Sequence, residues 1–147
     1  MSCFCGKKST PGYTFITNSV AQTWATNGIL QPGSILATSS ANNISISGSS
    51  LVVANTGTYM VDVSIMGTPG TASSTTIPTI NVNGTPVYGN SYTGGATQVE
   101  GEFNVRAVLS LDKGDVITIT NAGASSLTIA AATSPNYNVN IIIERFN

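Results

Sequence analysis

Thr58-Tyr-Met-Val-Asp-Val-Ser-Ile-Met66 decides the fold. Tyr59, Val61, Val63 and Ile65 fall on one side of an extended chain, and Asp62 and Ser64 fall on the other with Met60 and Met66. A period of two in β-branched and aromatic residues is the mark of a strand with one buried face. The same alternation returns in Glu102 to Leu111, where Phe103, Val105, Ala107, Leu109 and Leu111 face one way. Glu102, Asn104, Arg106 and Ser110 face the other way, with Val108 among them. Ile117 and Ile119 alternate with Thr118 and Thr120.

The segments between these runs carry turn chemistry. Asn83-Gly84 is the pair that closes a tight hairpin with positive φ at both positions. Asn55-Thr56-Gly57, Asp112-Lys113-Gly114 and Asn121-Ala122-Gly123 read as polar turns that place glycine at positive φ. Thr68 to Thr76 reads as a flexible Ser/Thr loop, and Val20 to Trp24 as at most a short irregular turn. Short strands, regular turns and no helical periodicity predict an all-β antiparallel jelly-roll sandwich. Residues 1–12 form a cysteine-bearing arm and residues 13–147 the jelly-roll domain.

Composition narrows the function. Between Lys8 and Glu100 the only charged side chain is Asp62, and the 147 residues contain no histidine. A formal net charge of −1 supplies no field for nucleic acid or an anionic membrane, so neither is expected as a partner. Little self-repulsion favours association. No apolar run is long enough to cross a membrane as a helix, and the N-terminal residues lack the apolar core of a secretory signal. Without histidine there is no Ser-His or Cys-His pair, so no catalytic residue is assigned and an enzyme is not expected. Glu100 and Glu102 share a strand face with Arg106 and read as a solvated surface rather than a carboxylate dyad. Asp112 and Asp115 read as turn formers rather than calcium ligands; no metal and no cofactor is expected.

Three sets of residues remain as site candidates. In Val139 to Phe146, Val139, Ile141 and Ile143 take one face, but Ile142 and Phe146 sit on the other beside Asn140 and Glu144. That second apolar face is covered either by a loop or the N-terminal segment, or by another subunit. Cys3 and Cys5 are too close in sequence for an unstrained disulfide with each other and too few for a closed zinc site. They either pair between subunits or lie on an inert tail. Pairing is favoured because the chain has no other cysteine and Lys7 and Lys8 promote the thiolate. Tyr13, Phe15, Trp24, Tyr88 and Tyr92 read chiefly as core residues. Tyr88 and Tyr92, with the Gly89 to Gly95 loop, are also the possible ligand contact of a binding module.

Leu51-Val-Val-Ala-Asn-Thr-Gly-Thr-Tyr-Met-Val-Asp-Val-Ser-Ile65 resembles the central Gly-Thr-Tyr strand of complement-globular and tumour-necrosis-factor-like jelly rolls. Three further pieces follow in that family's order. They are Ile80-Asn-Val-Asn-Gly-Thr-Pro-Val87, Leu111-Asp-Lys-Gly-Asp-Val-Ile-Thr-Ile-Thr-Asn-Ala-Gly123 and the closing strand Asn138 to Phe146. The style is most similar to the C-terminal domains of collagen-like glycoproteins of the bacterial spore surface, the exosporium. The resemblance implies a ten-stranded jelly roll in a compact homotrimer, with the first and last strands near the threefold axis and Ile142 and Phe146 at the contact. No Gly-X-Y stalk precedes the body, and the cysteine arm stands in its place. The expectation is a non-catalytic, self-assembling subunit of a spore surface layer or endospore appendage. It would oligomerise through the jelly roll and cross-link to other spore-surface or fibre proteins through Cys3 and Cys5. The alternative is a receptor- or glycan-binding head domain of a phage or surface fibre.

Overall fold

The structure, a computed structural model, describes residues 11–39 and 44–147. Fourteen strand segments and no helix occur among the described residues. In chain order they are β1 Gly12–Asn18, β2 Gln22–Trp24, β3 Ser34–Thr38, β4 Ile44–Ser47, β5 Ser50–Val53, β6 Gly57–Pro69 and β7 Thr75–Thr76. Then come β8 Pro78–Val82, β9 Thr85–Gly89, β10 Tyr92–Thr93, β11 Gly101–Leu111, β12 Val116–Asn121, β13 Leu127–Ile129 and β14 Val139–Arg145. The count exceeds the ten that the resemblance implies. Four of the segments are only two or three residues long: β7 and β10 pair with each other, and β13 and β2 continue the large sheet from the end of β6.

The two main sheets are antiparallel. β6, at 13 residues, organises the larger one. β11 pairs along one side of it from Gly57 to Gly67; β14 pairs along the other from Tyr59 to Ile65, followed outward by β1 and β3. β13 and then β2 extend the sheet from Thr68 and Pro69. The smaller sheet runs β4-β5-β12-β8-β9. Tyr59, Val61, Val63 and Ile65 of β6, with Val139, Ile141 and Ile143 of β14, face Leu51, Val53, Ile80, Ile117 and Ile119 and are fully buried. Each such side chain removed from water contributes about 1.5–3 kcal/mol, and that burial holds the two layers together.

Three local expectations change. Val20 to Trp24 is not an irregular turn: Gln22–Trp24 is a strand, because Leu127 to Ile129 gives its backbone a partner. The Ser/Thr loop is shorter than expected, since Thr68 and Pro69 belong to β6 and Thr75–Thr76 pairs with β10. Glu100 precedes β11 and so does not share its strand face with Glu102. The Asn83-Gly84 hairpin forms as expected, with φ of 51° and 80°. Gly114 also has positive φ, but Gly57 and Gly123 do not. These two are glycine for lack of space: a Cβ on Gly57 would strike the Asn147 carbonyl, and one on Gly123 the Thr75 carbonyl.

Candidate functional site

The registers align side chains in rows across the outer face of the large sheet, the face turned away from the core. One row is Phe15 of β1, Ile142 of β14, Asp62 of β6 and Arg106 of β11. The next is Tyr13, Glu144, Met60 and Val108, and beyond it lies Phe146, whose N–H bonds to the Thr58 carbonyl at 2.9 Å. In the opposite direction the rows turn polar: Thr17, Asn140, Ser64 and Asn104, then Met66 and Glu102. One end of the face is thus an apolar stripe of Tyr13, Phe15, Met60, Val108, Ile142 and Phe146. Val108 is 62% exposed and Phe146 48%, so nothing among the described residues covers it.

Four charges interrupt the face: Asp62, Glu102, Arg106 and Glu144. Arg106 Nη2 bonds to Asp62 Oδ2 at 2.5 Å, with the arginine side chain 65% exposed and the aspartate 20%. The guanidinium is held above its ordinary pKa, first by the hydrogen bond to Asp62, then by that residue's charge and, less strongly, by Glu144. Beside this pair, Asp62, Ser64, Asn90, Glu102, Asn104 and Arg106 line an open notch of about 420 Å³. Ser64 Oγ donates to Glu102 at 3.1 Å, and Asn90 Nδ2 to the Asn104 carbonyl at 2.9 Å. The notch is a surface hydrogen-bond network in which Arg106 pairs with Asp62 and Glu102 accepts from Ser64.

The expected site residues are placed as follows. Ile142 and Phe146 lie on the apolar stripe, exposed. Pro11, where the described chain begins, joins Tyr13, Glu144 and Phe146 in lining a hollow at that end of the face. Cys3 and Cys5 lie outside the described residues. Tyr92 is fixed from behind: its hydroxyl donates to the Asn104 carbonyl at 2.7 Å and accepts from the Asn104 N–H at 3.0 Å, and its ring meets Phe103 edge-on. It lines a cavity of about 200 Å³ under the 94–101 loop, whereas Tyr88 stands exposed on β9 and is not part of that lining. Of the aromatic residues expected in the core, Trp24 is buried, but Tyr13 and Tyr88 are nearly half exposed. Tyr13 falls on the outward parity of β1, whereas Tyr88 pairs with the buried Ile80 but stays exposed because β9 is the outermost strand of its sheet.

Tyr13, Phe15, Met60 and Val108 complete the stripe and were not expected there; Phe15, read as a core residue, pairs with Ile142 on the outer face and is only half-buried. Met60 and Val108 were visible as apolar residues on otherwise polar strand faces; only the pairing of β6 with β11 and β14 makes them neighbours. Asp112 and Asp115 form a turn: Asp115 accepts from the Asp112 N–H and from Asn83 Nδ2, both at 2.8 Å. No group of three or more Cys, Asp or Glu is placed to hold a metal among the described residues.

No family model and no curated protein matches the sequence. Solved structures do match the shape. Murine APRIL crystallised at pH 5.0 superposes with a TM-score of 0.71 at 11% identity, over 93% of this chain and 100% of that one. Eiger TNF from S. frugiperda does so with a TM-score of 0.67 at 13% identity, over 93% and 92%. The chain is an all-β, two-sheet antiparallel sandwich with the jelly-roll fold of tumour-necrosis-factor-like proteins.

Proposed function

We propose that the chain is a non-catalytic structural subunit that assembles with copies of itself, a trimer first, through the outer face of the large sheet. The observation that carries this reading is the apolar stripe of Tyr13, Phe15, Met60, Val108, Ile142 and Phe146, contiguous across four strands and exposed at Val108 and Phe146. An apolar area of this kind on an isolated domain marks a contact surface. The tumour-necrosis-factor-like fold supports the trimer in particular, because that family's first and last strands lie near the threefold axis, and here β1 and β14 carry three of the six residues, with Phe146 directly after β14.

The setting proposed for this subunit is a bacterial spore surface layer or appendage. The Ser/Thr/Asn-rich, charge-poor style of the sequence and the pair Cys3 and Cys5 on the arm support it. Pro11 beside Phe146 brings the root of that arm to the apolar end of the face, so a disulfide between arms would reinforce contacts already made there.

Sedimentation velocity tests the assembly. The expected result is a discrete oligomer that Val108→Asp converts to monomer with unchanged circular dichroism. A wild-type chain that sediments as a monomer at every concentration overturns the reading. Equal mobility of the native assembly in reducing and non-reducing gels would remove the cross-link, and antibody that fails to label intact spores would remove the location.

A further inference from the structure

Resting on that reading of the outer face, we propose that Glu144 of one copy pairs with Arg106 of the next, and that this ion pair sets the orientation in which copies meet. Glu144 stands within the stripe, flanked by Tyr13 on β1 and Met60 on β6. It is half-buried, and its carboxylate makes no hydrogen bond or ion pair with any described residue. In a lone chain water solvates it. When two apolar stripes close, that water leaves, and an unpaired carboxylate there opposes association.

Among the described residues the face carries one cation able to answer it. Arg106 is 65% exposed and spends Nη2 on Asp62, which leaves several of the five guanidinium donors free. Within one chain Glu144 acts on Arg106 only through its charge and makes no ion pair with it, because β6 stands between β11 and β14 and the two lie two strand spacings and two residues apart, about 12 Å between backbones. Arg145, the next cation along, lies on the inward parity of β14 and donates to the Thr56 carbonyl at 2.7 Å.

The positions also suit a head-to-tail contact. β11 is an edge strand of the large sheet, and β14 lies in its middle. Arg106 and Val108 of one copy's edge therefore meet Glu144 and Ile142 in the middle of the next. Every contact in a closed ring then holds one of each charge, whereas a copy docked the other way round leaves Glu144 against apolar side chains.

A double-mutant cycle read by sedimentation equilibrium tests the pair. Glu144→Gln and Arg106→Gln are each expected to weaken self-association by roughly tenfold or more, with the double variant no weaker than either single one. Asp62→Asn, which removes only the contact within the chain, is expected to leave association nearly unchanged. In that background, Arg106→Glu with Glu144→Arg is expected to restore association that each reversal alone abolishes. Strictly additive losses, or a Glu144→Gln chain that assembles like the wild type while Val108→Asp still dissociates, would overturn the ion pair and leave the interface standing. A wild-type monomer would remove both.

Discussion

At the scale of single residues, the strand ends depend on polar side chains that bond to backbone. Tyr59, fully buried, turns its hydroxyl back to the Asn55 carbonyl at 2.6 Å and so ties the entry of β6 to the turn before it. That bond is the physical content of the Gly-Thr-Tyr run, and burial raises the Tyr59 pKa. Asn121 does more. Its Oδ1 accepts from the N–H groups of Ile77 and Gly123 at 3.2 and 3.0 Å, and its Nδ2 donates to the Ser125 carbonyl at 2.7 Å. Asn121→Ala strands these groups in a buried place, so a loss of about 2–4 kcal/mol is expected in urea unfolding. Asp115 behaves differently because it lies near solvent. The Asp112 N–H and then Asn83 Nδ2 lower its pKa below the usual carboxylate value. A lowered folded-state pKa stabilises above the unfolded value near 3.8 and ceases to do so as pH falls through the folded value. Asp115→Asn is therefore expected to lower the thermal midpoint at pH 7, with the difference from wild type shrinking as pH drops below about 3.8.

At the scale of elements, β14 shows what period two can and cannot say. Ile141 and Ile142 are adjacent and chemically identical, yet Ile141 is fully buried between sheets and Ile142 is 36% exposed on the outer face. Ile141→Ala is expected to cost about 2–5 kcal/mol of monomer stability, by lost transfer energy and a cavity. Ile142→Ala is expected to change the stability of the dilute chain by no more than about 0.5 kcal/mol while weakening self-association. Chemical unfolding at low concentration, paired with sedimentation at high concentration, separates the two effects. A large unfolding loss for Ile142→Ala would mean that the outer face is covered by its own chain. The edges of the sandwich differ in a related way. β9 carries Pro86 and a bulge opposite Ile80/Asn81, and β11 carries Glu102 and Arg106, both familiar protections against strand addition. Contacts along that side are thus directed to side chains, in keeping with an edge that meets a neighbour through Arg106 and Val108 rather than through backbone pairing.

At the scale of the whole molecule, the strands of the core and the Asn83-Gly84 hairpin were readable directly from the chain. Alternation and turn chemistry are local properties, and each strand states its buried side without reference to its partner. The absence of histidine and the near absence of charge are likewise complete in the sequence, as is the surplus of apolar residues at Ile142 and Phe146. What lies beside what is not local. Met60, Val108, Tyr13 and Ile142 become one stripe only because β1, β14, β6 and β11 pair in a particular order and register, with as many as 130 residues between neighbours in space. The short strands β2, β7, β10 and β13 were hidden for the same reason: their backbones are extended because a distant segment offers hydrogen bonds, not because two or three residues prefer it. The sequence by itself thus determined the fold class and the absence of histidine. The tertiary structure alone decided which apolar residues form a surface and which charges stand within it, because those depend on strand order, a property of long-range pairing that no window of sequence contains.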